Sequence, residues 1–236
     1  TDSSVGQISR SIEVEYWVID EDGSLTAPGS LVESPGAERE FVEPMLEVKT
    51  PPCETMAELR EQLLGRLRAV LTRANEQGKK LVPLATPIHA EEIADLESVR
   101  TEIQDRAVGP NFEYVRHCAG THIHVEQVPG REVEQLNTLI ALDPALALVN
   151  SSPYYDGERL AEGARSALYR RMAYAQLPNQ GELWPYTANR TEYAQRIERR
   201  YEEFITQAVI AGIDRTRAEA AFEPEGAVWT PVQLRQ

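Results

Sequence analysis

The sequence predicts an α+β fold: a mostly antiparallel sheet with helices packed on one face. Three observations carry this. "SIEVEYWVID" (11–20) and "HCAGTHIHVEQV" (117–128) alternate with the period of two expected of a half-buried strand. Two long segments, 55–77 and 189–212, instead carry the 3.6-residue apolar rhythm of amphipathic helices. Strands and helices also mix without a βαβ rhythm, and no glycine-rich phosphate loop follows a strand.

In chain order, residues 11–20 form the first strand, and "EDGSL" is a turn with Asp-Gly chemistry. "FVEPMLEVKT" (41–50) reads as a second strand, with Pro44 at an edge, a bulge or the strand start. "TMAE" is a capping box with Thr55 as N-cap and Glu58 at N3. The helix it opens has a stripe of Leu59, Leu63, Leu67, Val70 and Leu71 and stops at Gly78. "KLVPLATPI" (80–88) reads as a short buried strand, and "AEEIADLESVRTEIQDRAV" as a helix ended by Gly109 and Pro110. Residues 117–128 form a strand, and a Leu- and Ala-rich helix runs from about 131 to 149. "NSSPYYDGERLAEG" is a loop, "ARSALYRRM" a short helix, 189–212 a long helix with "QRIERRYEE" facing water, and "EGAVWTPVQLR" a closing strand. There is no internal repeat or low-complexity tract. The expectation is a single domain over 1–236.

The 236 residues are 42% apolar and carry a net charge of −14. The acid excess argues against nucleic acid or an anionic membrane as partner, since both need a basic patch. Lys49, Lys79 and Lys80 are the only lysines, and every other cation is Arg. Acid excess with lysine scarcity points to a halophilic protein in a salt-rich cytoplasm; the plainer alternative is a merely acidic protein. No run approaches the twenty apolar residues of a membrane span, and no secretory leader opens the chain. Cys53 and Cys118 do not make a disulfide framework and read as small buried hydrophobes. A cytoplasmic location is expected.

The chemistry concentrates on strands. Glu13 and Glu15 share one face of the first strand with Trp17 and Ile19, Glu47 lies on the second strand, and His122 and His124 share a face of "THIHV". Residues i and i+2 of a strand lie about 7 Å apart on one side. Carboxylates that close repel one another unless cations or protons lie between them. A carboxylate-rich site with one or two histidines suits Mg²⁺ or Mn²⁺, and Mg²⁺ most often works with a phosphate. Each feature also has a plain alternative. Glu13, Glu15 and Glu47 could be solvated acids on a half-open sheet, and the His pair could bind Zn²⁺ or be ordinary polar-face residues.

Order and context add to these pieces. "SIEVEYWVIDEDGSL" resembles the opening of the glutamate–cysteine ligase type 2 family, the carboxylate–amine ligases, with its G-[VI]-E-x-E-[FY]-[WQ] pattern. "MLEVKTPPC" is similar to that family's [VL]-E-[VI]-x-T-x-x-C, and "AGTHIHV" to its G-x-H-[VI]-H-V. "NSSPYYDG" followed by "ARSALYRRM" resembles its S-S-P-[FY]-x-x-G and S-x-R segments. The four motifs occur in family order across roughly residues 8–186. Two positions depart: Ser11 stands for the opening Gly, and Glu126 for the Gly after the H-x-H-V.

The resemblance implies an antiparallel sheet cupping an active site with helices behind it, related to glutamine synthetase. It implies activation of a carboxylate by ATP as an acyl phosphate, then attack by an amine. In glutamate–cysteine ligases the γ-carboxylate of glutamate joins the amine of cysteine; other amines occur in the family. It implies Mg²⁺ or Mn²⁺ held by Glu13, Glu15, Glu47 and His122, with Glu43 a weaker candidate and His124 orienting the site or packing beneath it. Arg165 would clamp a substrate carboxylate or the transferring phosphate, a task that suits a guanidinium fork. Thr50 would line the substrate pocket, and Trp17 would be a pocket wall or the dry end of its strand. Family members are longer, with a C-terminal strand bearing a further acid and Arg, so the chain reads as a short form, a fragment or a protein completed by a partner. An unpaired edge near the C-terminus would suit a homodimer. Two other readings stand beside the ligase: an impaired relative that binds nucleotide, amino acid or a partner subunit, and an unrelated metal-dependent hydrolase.

Overall fold

The computed structural model describes residues 8–87, 92–149 and 152–235. The chain forms two compact units. One runs to Leu96 and takes back Ala119–Val128; the other comprises Glu97–Cys118 and the chain from Pro129 onward. The fold is α+β, as the alternation and the helical stripes predict.

The first unit is an antiparallel sheet centred on β1 (Arg10–Ile19). β1 pairs with β3 (Met45–Lys49) on one side, and β3 pairs in turn with the short β2 (Ala37–Arg39). On its other side β1 pairs with β4 (Lys80–Val82) at one end and β5 (Thr121–Val125) at the other. Period-two alternation sorts the residues onto two faces. One face carries Tyr16, Val18, Leu46, Val48 and Ala37, which pack with Leu31 and with Leu67, Val70 and Ala74 of α1 (Met56–Glu76). The other face carries the acids. Its dry end is a small cluster of Trp17, Val42, Met45 and Ala119.

The capping signals of α1 are in place, whereas of the helix expected from residue 90 to Gly109 only Val99–Val108 forms among the described residues, capped by Ser98. Thr55 Oγ1 accepts from the Glu58 N–H at 3.1 Å, and Glu58 Oε2 accepts from the Glu54 N–H at 3.0 Å. Glu58 thus reaches back one residue beyond the N-cap itself. α1 ends before Gly78, which has φ +64. Leu71, placed in the apolar stripe by spacing alone, points outward at 43% exposure.

The strand expected over 41–50 begins only at Met45. Pro44 cannot donate to a ladder; its carbonyl accepts from the Val18 N–H at 2.8 Å, while the preceding Val42 bridges to Asp95. β4 covers three residues of the expected 80–88 strand, whose last residue lies outside the described ones.

The second unit is mainly helical. It holds α2 (Val99–Val108), α3 (Glu113–Arg116), α4 (Glu132–Val149), a two-stranded hairpin of β6 (Tyr154–Tyr155) and β7 (Glu158–Arg159), α5 (Ala164–Ala167), α6 (Arg190–Ile210) and α7 (Arg215–Ala221). α5 runs into a single π turn, Leu168–Met172. Asn189 caps α6 by accepting from the Glu192 N–H at 2.9 Å. The core joins Ile103, Phe112, Tyr174, Phe204, Ile205 and Phe222, with Trp229 edge-on to Phe112 at 5.2 Å and to Phe204 at 5.6 Å. The first two residues of the "NSSPYYDG" segment lie outside the described ones.

The closing strand expected over 225–235 does not form: a 3₁₀ turn (Pro224–Ala227) gives way to irregular chain. Its backbone groups are taken up by Gln180 instead of a ladder. Gln180 Oε1 accepts from the Trp229 N–H at 2.9 Å and Nε2 donates to the Ala227 carbonyl at 3.2 Å, while the Gly181 N–H donates to the Trp229 carbonyl at 2.8 Å. Gln180 is 1% exposed. We predict that Gln180→Ala, which leaves a buried N–H and C=O unpaired, lowers stability by about 2–3 kcal/mol in urea unfolding. An unchanged midpoint would show that water replaces the amide without loss.

Candidate metal and substrate site

The register of the sheet builds the site. Glu13 lies opposite Lys49 on β3 and opposite His122 on β5; Glu15 lies opposite Glu47, and Glu47 opposite Glu38 on β2. Directly paired residues point the same way. Three strands therefore bring Glu13, Glu15, Glu47 and His122 onto one face without any help from loops. All four were read from the sequence as metal ligands.

His122 sits among the carboxylates. Its Nδ1 is 3.4 Å from Glu13 Oε2 and 4.0 Å from Glu47 Oε1, and its Nε2 is 3.8 Å from Glu15 Oε1. Glu15 is fixed by the adjacent chain: its Oε2 accepts from the Gly120 N–H at 2.6 Å. The Glu15 and Glu47 side chains are each only 9% exposed. His124 Nε2 approaches Glu13 Oε2 to 3.0 Å, which places it beside a candidate ligand.

One residue was missed. Glu40, just beyond β2, joins Glu15 and Glu47, and one ligand oxygen from each of the three lies within 4.8 Å of the others. Glu13, Glu47 and His122 form a second such group, so Glu47 is common to both. Glu43, the weaker candidate, is exposed in the turn before β3 and belongs to neither group. The signal for Glu40 was the acid at every second position of "ERE", but a three-residue strand has too little alternation to announce itself.

Electrostatics reflect the crowding. Burial, then the charges of Glu15 and Glu47, push the Glu40 carboxyl up to about 8. Burial, then Glu13 and Glu15, push Glu47 up to about 7, although Lys49 pulls it the other way. For Glu13 burial acts upward, but the close approach and charge of His124, then of His122, outweigh it and leave the carboxyl below its usual range. Carboxylates that hold protons near neutrality are a donor set short of positive charge. Oxygen donors with one imidazole fit a hard divalent cation such as Mg²⁺ or Mn²⁺.

The remaining candidates sit as follows. Thr50 is buried, its hydroxyl accepting from the Ile12 N–H at 3.0 Å and facing the Ile12 carbonyl at 3.4 Å. Its visible job is to tie β1 to the end of β3. Arg165 belongs to α5 in the second unit, with its guanidinium 5.2 Å over the Tyr169 ring. Trp17 is the dry end of the acid-bearing strand face, 2% exposed. No helix among the described residues is long and apolar enough to cross a membrane.

An antiparallel sheet with a cup of glutamates and a histidine on one face and a helix packed on the other defines an α+β class. Within that class the chain belongs to glutamate–cysteine ligase family 2, whose family model matches residues 7–209. It is 29% identical over 185 residues to "Putative glutamate–cysteine ligase 2-1" of Rhodococcus jostii, covering 74% of this chain and 48% of that one. It is 32% identical over 164 residues to "Putative glutamate–cysteine ligase 2" of Rhodospirillum rubrum, covering 67% and 40%. The chain thus spans about half the length, or less, of these curated relatives. Solved structures similar in part are a bifunctional glutathione synthetase from Pasteurella multocida (TM-score 0.45, 18% identity, 61% of this chain and 23% of that one) and a glutamate–cysteine ligase from Francisella tularensis in complex with AMP (TM-score 0.39, 15% identity, 60% and 32%).

A pH prediction follows from Glu40. Folded, its carboxyl is raised from 4.5 to about 8, so it binds its proton more tightly than in the unfolded chain. The stability this contributes is full below the unfolded value and is lost as pH rises toward the folded one. Metal-free Glu40→Gln should therefore melt several degrees above the metal-free wild type at pH 8.5, and close to it at pH 5. Equal melting temperatures at pH 8.5, measured in EDTA, would remove the case for a repulsive cup.

Proposed function

We propose that this protein is an ATP- and Mg²⁺-dependent carboxylate–amine ligase of the glutamate–cysteine ligase kind. The observation that carries this reading is the convergence of Glu13, Glu15, Glu47 and His122, with Glu40, on one face of the sheet. The two overlapping ligand groups suit two cations, with Glu47 shared. Mg²⁺ or Mn²⁺ bound there would neutralise the triphosphate of ATP.

The γ-phosphoryl group of ATP passes to the γ-carboxylate of glutamate. The bond to the ADP oxygen breaks, and an acyl phosphate forms. The lone pair of the amine then attacks the acyl carbon. The bond to phosphate breaks, phosphate leaves, and the nitrogen loses its proton as the amide forms. Cysteine is the family's default amine. The chain's own contribution is positioning. Glu15, held on the Gly120 N–H, cannot turn away from the cup. His122 lies within 4 Å of three of its carboxylates. Thr50 is assigned the edge of the substrate pocket; a role for Arg165, which lies in the second unit, rests on the family resemblance alone. Membership of the family displaces the reading of E-x-E and H-x-H as parts of an unrelated hydrolase.

The test is release of ADP from ATP in molar KCl with Mg²⁺, glutamate and cysteine, omitting each in turn. Release that requires both amino acids supports the ligase. Binding of nucleotide or glutamate without release would reduce the protein to a binding relative. Glu15→Gln should lower ADP release by more than about a hundredfold, the upper end of what losing a supporting residue of a metal site costs. An unaffected rate would sink the assignment of the cup.

A further inference from the structure

Lys49 brings an ammonium group onto the carboxylate face. It pairs across the sheet with Glu13 and lies two residues along β3 from Glu47 on the same side. Its Nζ is 2.5 Å from Glu38 and 4.0 Å from Glu47. Neither strand pairing nor packing calls for a cation there, since the residues that bury against α1 lie on the opposite face. Its partner Glu38 is 56% exposed and Lys49 itself 33% exposed. An ion pair this exposed contributes little to stability. The ammonium is therefore reachable from solvent and weakly held, at the rim of the two cation-ligand groups.

Divalent cations in those groups would engage Glu13 and Glu47, leaving Lys49 only its exposed tie to Glu38. A multiply charged oxyanion docking on the same cations would then be a stronger partner than a single solvated carboxylate. We propose that Lys49 is an anion-recognising residue of this site, whose ammonium exchanges Glu38 for an oxyanion of the bound substrate, either a nucleotide phosphate or the substrate carboxylate. This rests on the ligase reading for the presence of the cations.

The experiment separates the two. Mn²⁺ binding to the wild type, K49M, K49R and E38Q is followed first by electron paramagnetic resonance. The Mn²⁺-loaded proteins are then titrated with inorganic phosphate, ADP, ATP and glutamate. K49M should bind Mn²⁺ at least as tightly as the wild type and bind one class of anion roughly tenfold more weakly, the loss of one charge-assisted contact. K49R should recover most of that loss, and E38Q should hold or strengthen the same anion. Loss confined to phosphate, ADP and ATP assigns the ammonium to the nucleotide; loss confined to glutamate assigns it to the carboxylate. Unchanged affinity of K49M for all four overturns the proposal while leaving the ligase reading intact. So does an E38Q defect equal to that of K49M, or loss of Mn²⁺ from K49M, because either makes the pair a structural strut. A wild type that binds no Mn²⁺ overturns both readings.

Discussion

The first unit is organised around the repulsion among glutamates on one face of a small sheet. Glu13, Glu15 and Glu47 are brought together by backbone pairing, with Glu40 joining them from just beyond β2, and the pairing is fixed by the opposite face. Val18, Leu46 and Val48 are fully buried there against α1. A slip of one residue between β1 and β3 would turn the acids into that core and the valines into water. Hydrophobic burial on one side thus holds carboxylates on the other at separations they would not choose. That separation of tasks is why the site can be both crowded and well defined.

The strand framework of the site was legible because strand alternation is a strong, local signal. "SIEVEYWVID" announces its two faces, and "TMAE" announces the start of α1. Once three acid- or histidine-bearing strands are recognised, convergence of Glu13, Glu15, Glu47 and His122 needs only antiparallel pairing. What stayed hidden depends on distant partners. β2 is three residues long, so its alternation does not stand out from "GAEREF", and Glu40 went with it. The C-terminal segment looked like a strand because it is apolar and β-branched. What prevents this is a single buried amide from residue 180, which satisfies backbone groups that a strand would offer to a neighbour. Leu71 fails for a related reason: spacing places a residue on a helix face, but not at the width of what covers that face.

Charge sorting within the cup is as important as the charge itself. Glu13 stands beside two imidazoles and is held below its usual range, whereas Glu40 and Glu47 are pushed up to about 8 and about 7. Without a cation, then, the protons near neutral pH collect on Glu40 and Glu47 rather than on Glu13. A divalent cation held by Glu15, Glu40 and Glu47 would have to displace protons, so its binding would tighten as pH rises. One held by Glu13, Glu47 and His122 would displace fewer, since Glu13 is held below its usual range although Glu47 is not. The two overlapping ligand groups are therefore unequal from the start, although they share Glu47.

That inequality bears on what each side can do. In the group of Glu13, Glu47 and His122 the histidine is half-exposed, so a cation held there would be reachable from solvent. The group built from Glu15, Glu40 and Glu47 is deeper, with two of its side chains 9% exposed and Glu15 tied to the Gly120 amide. Coulombic interactions strengthen as water is excluded, so on the ligase reading the deeper position would be the better place to stabilise charge that develops during phosphoryl transfer. The shallower one, flanked by Lys49, would be the better place to receive substrate. A strand sheet with one dry face produces this gradient directly, because depth increases along β1 from the His122 end toward Trp17.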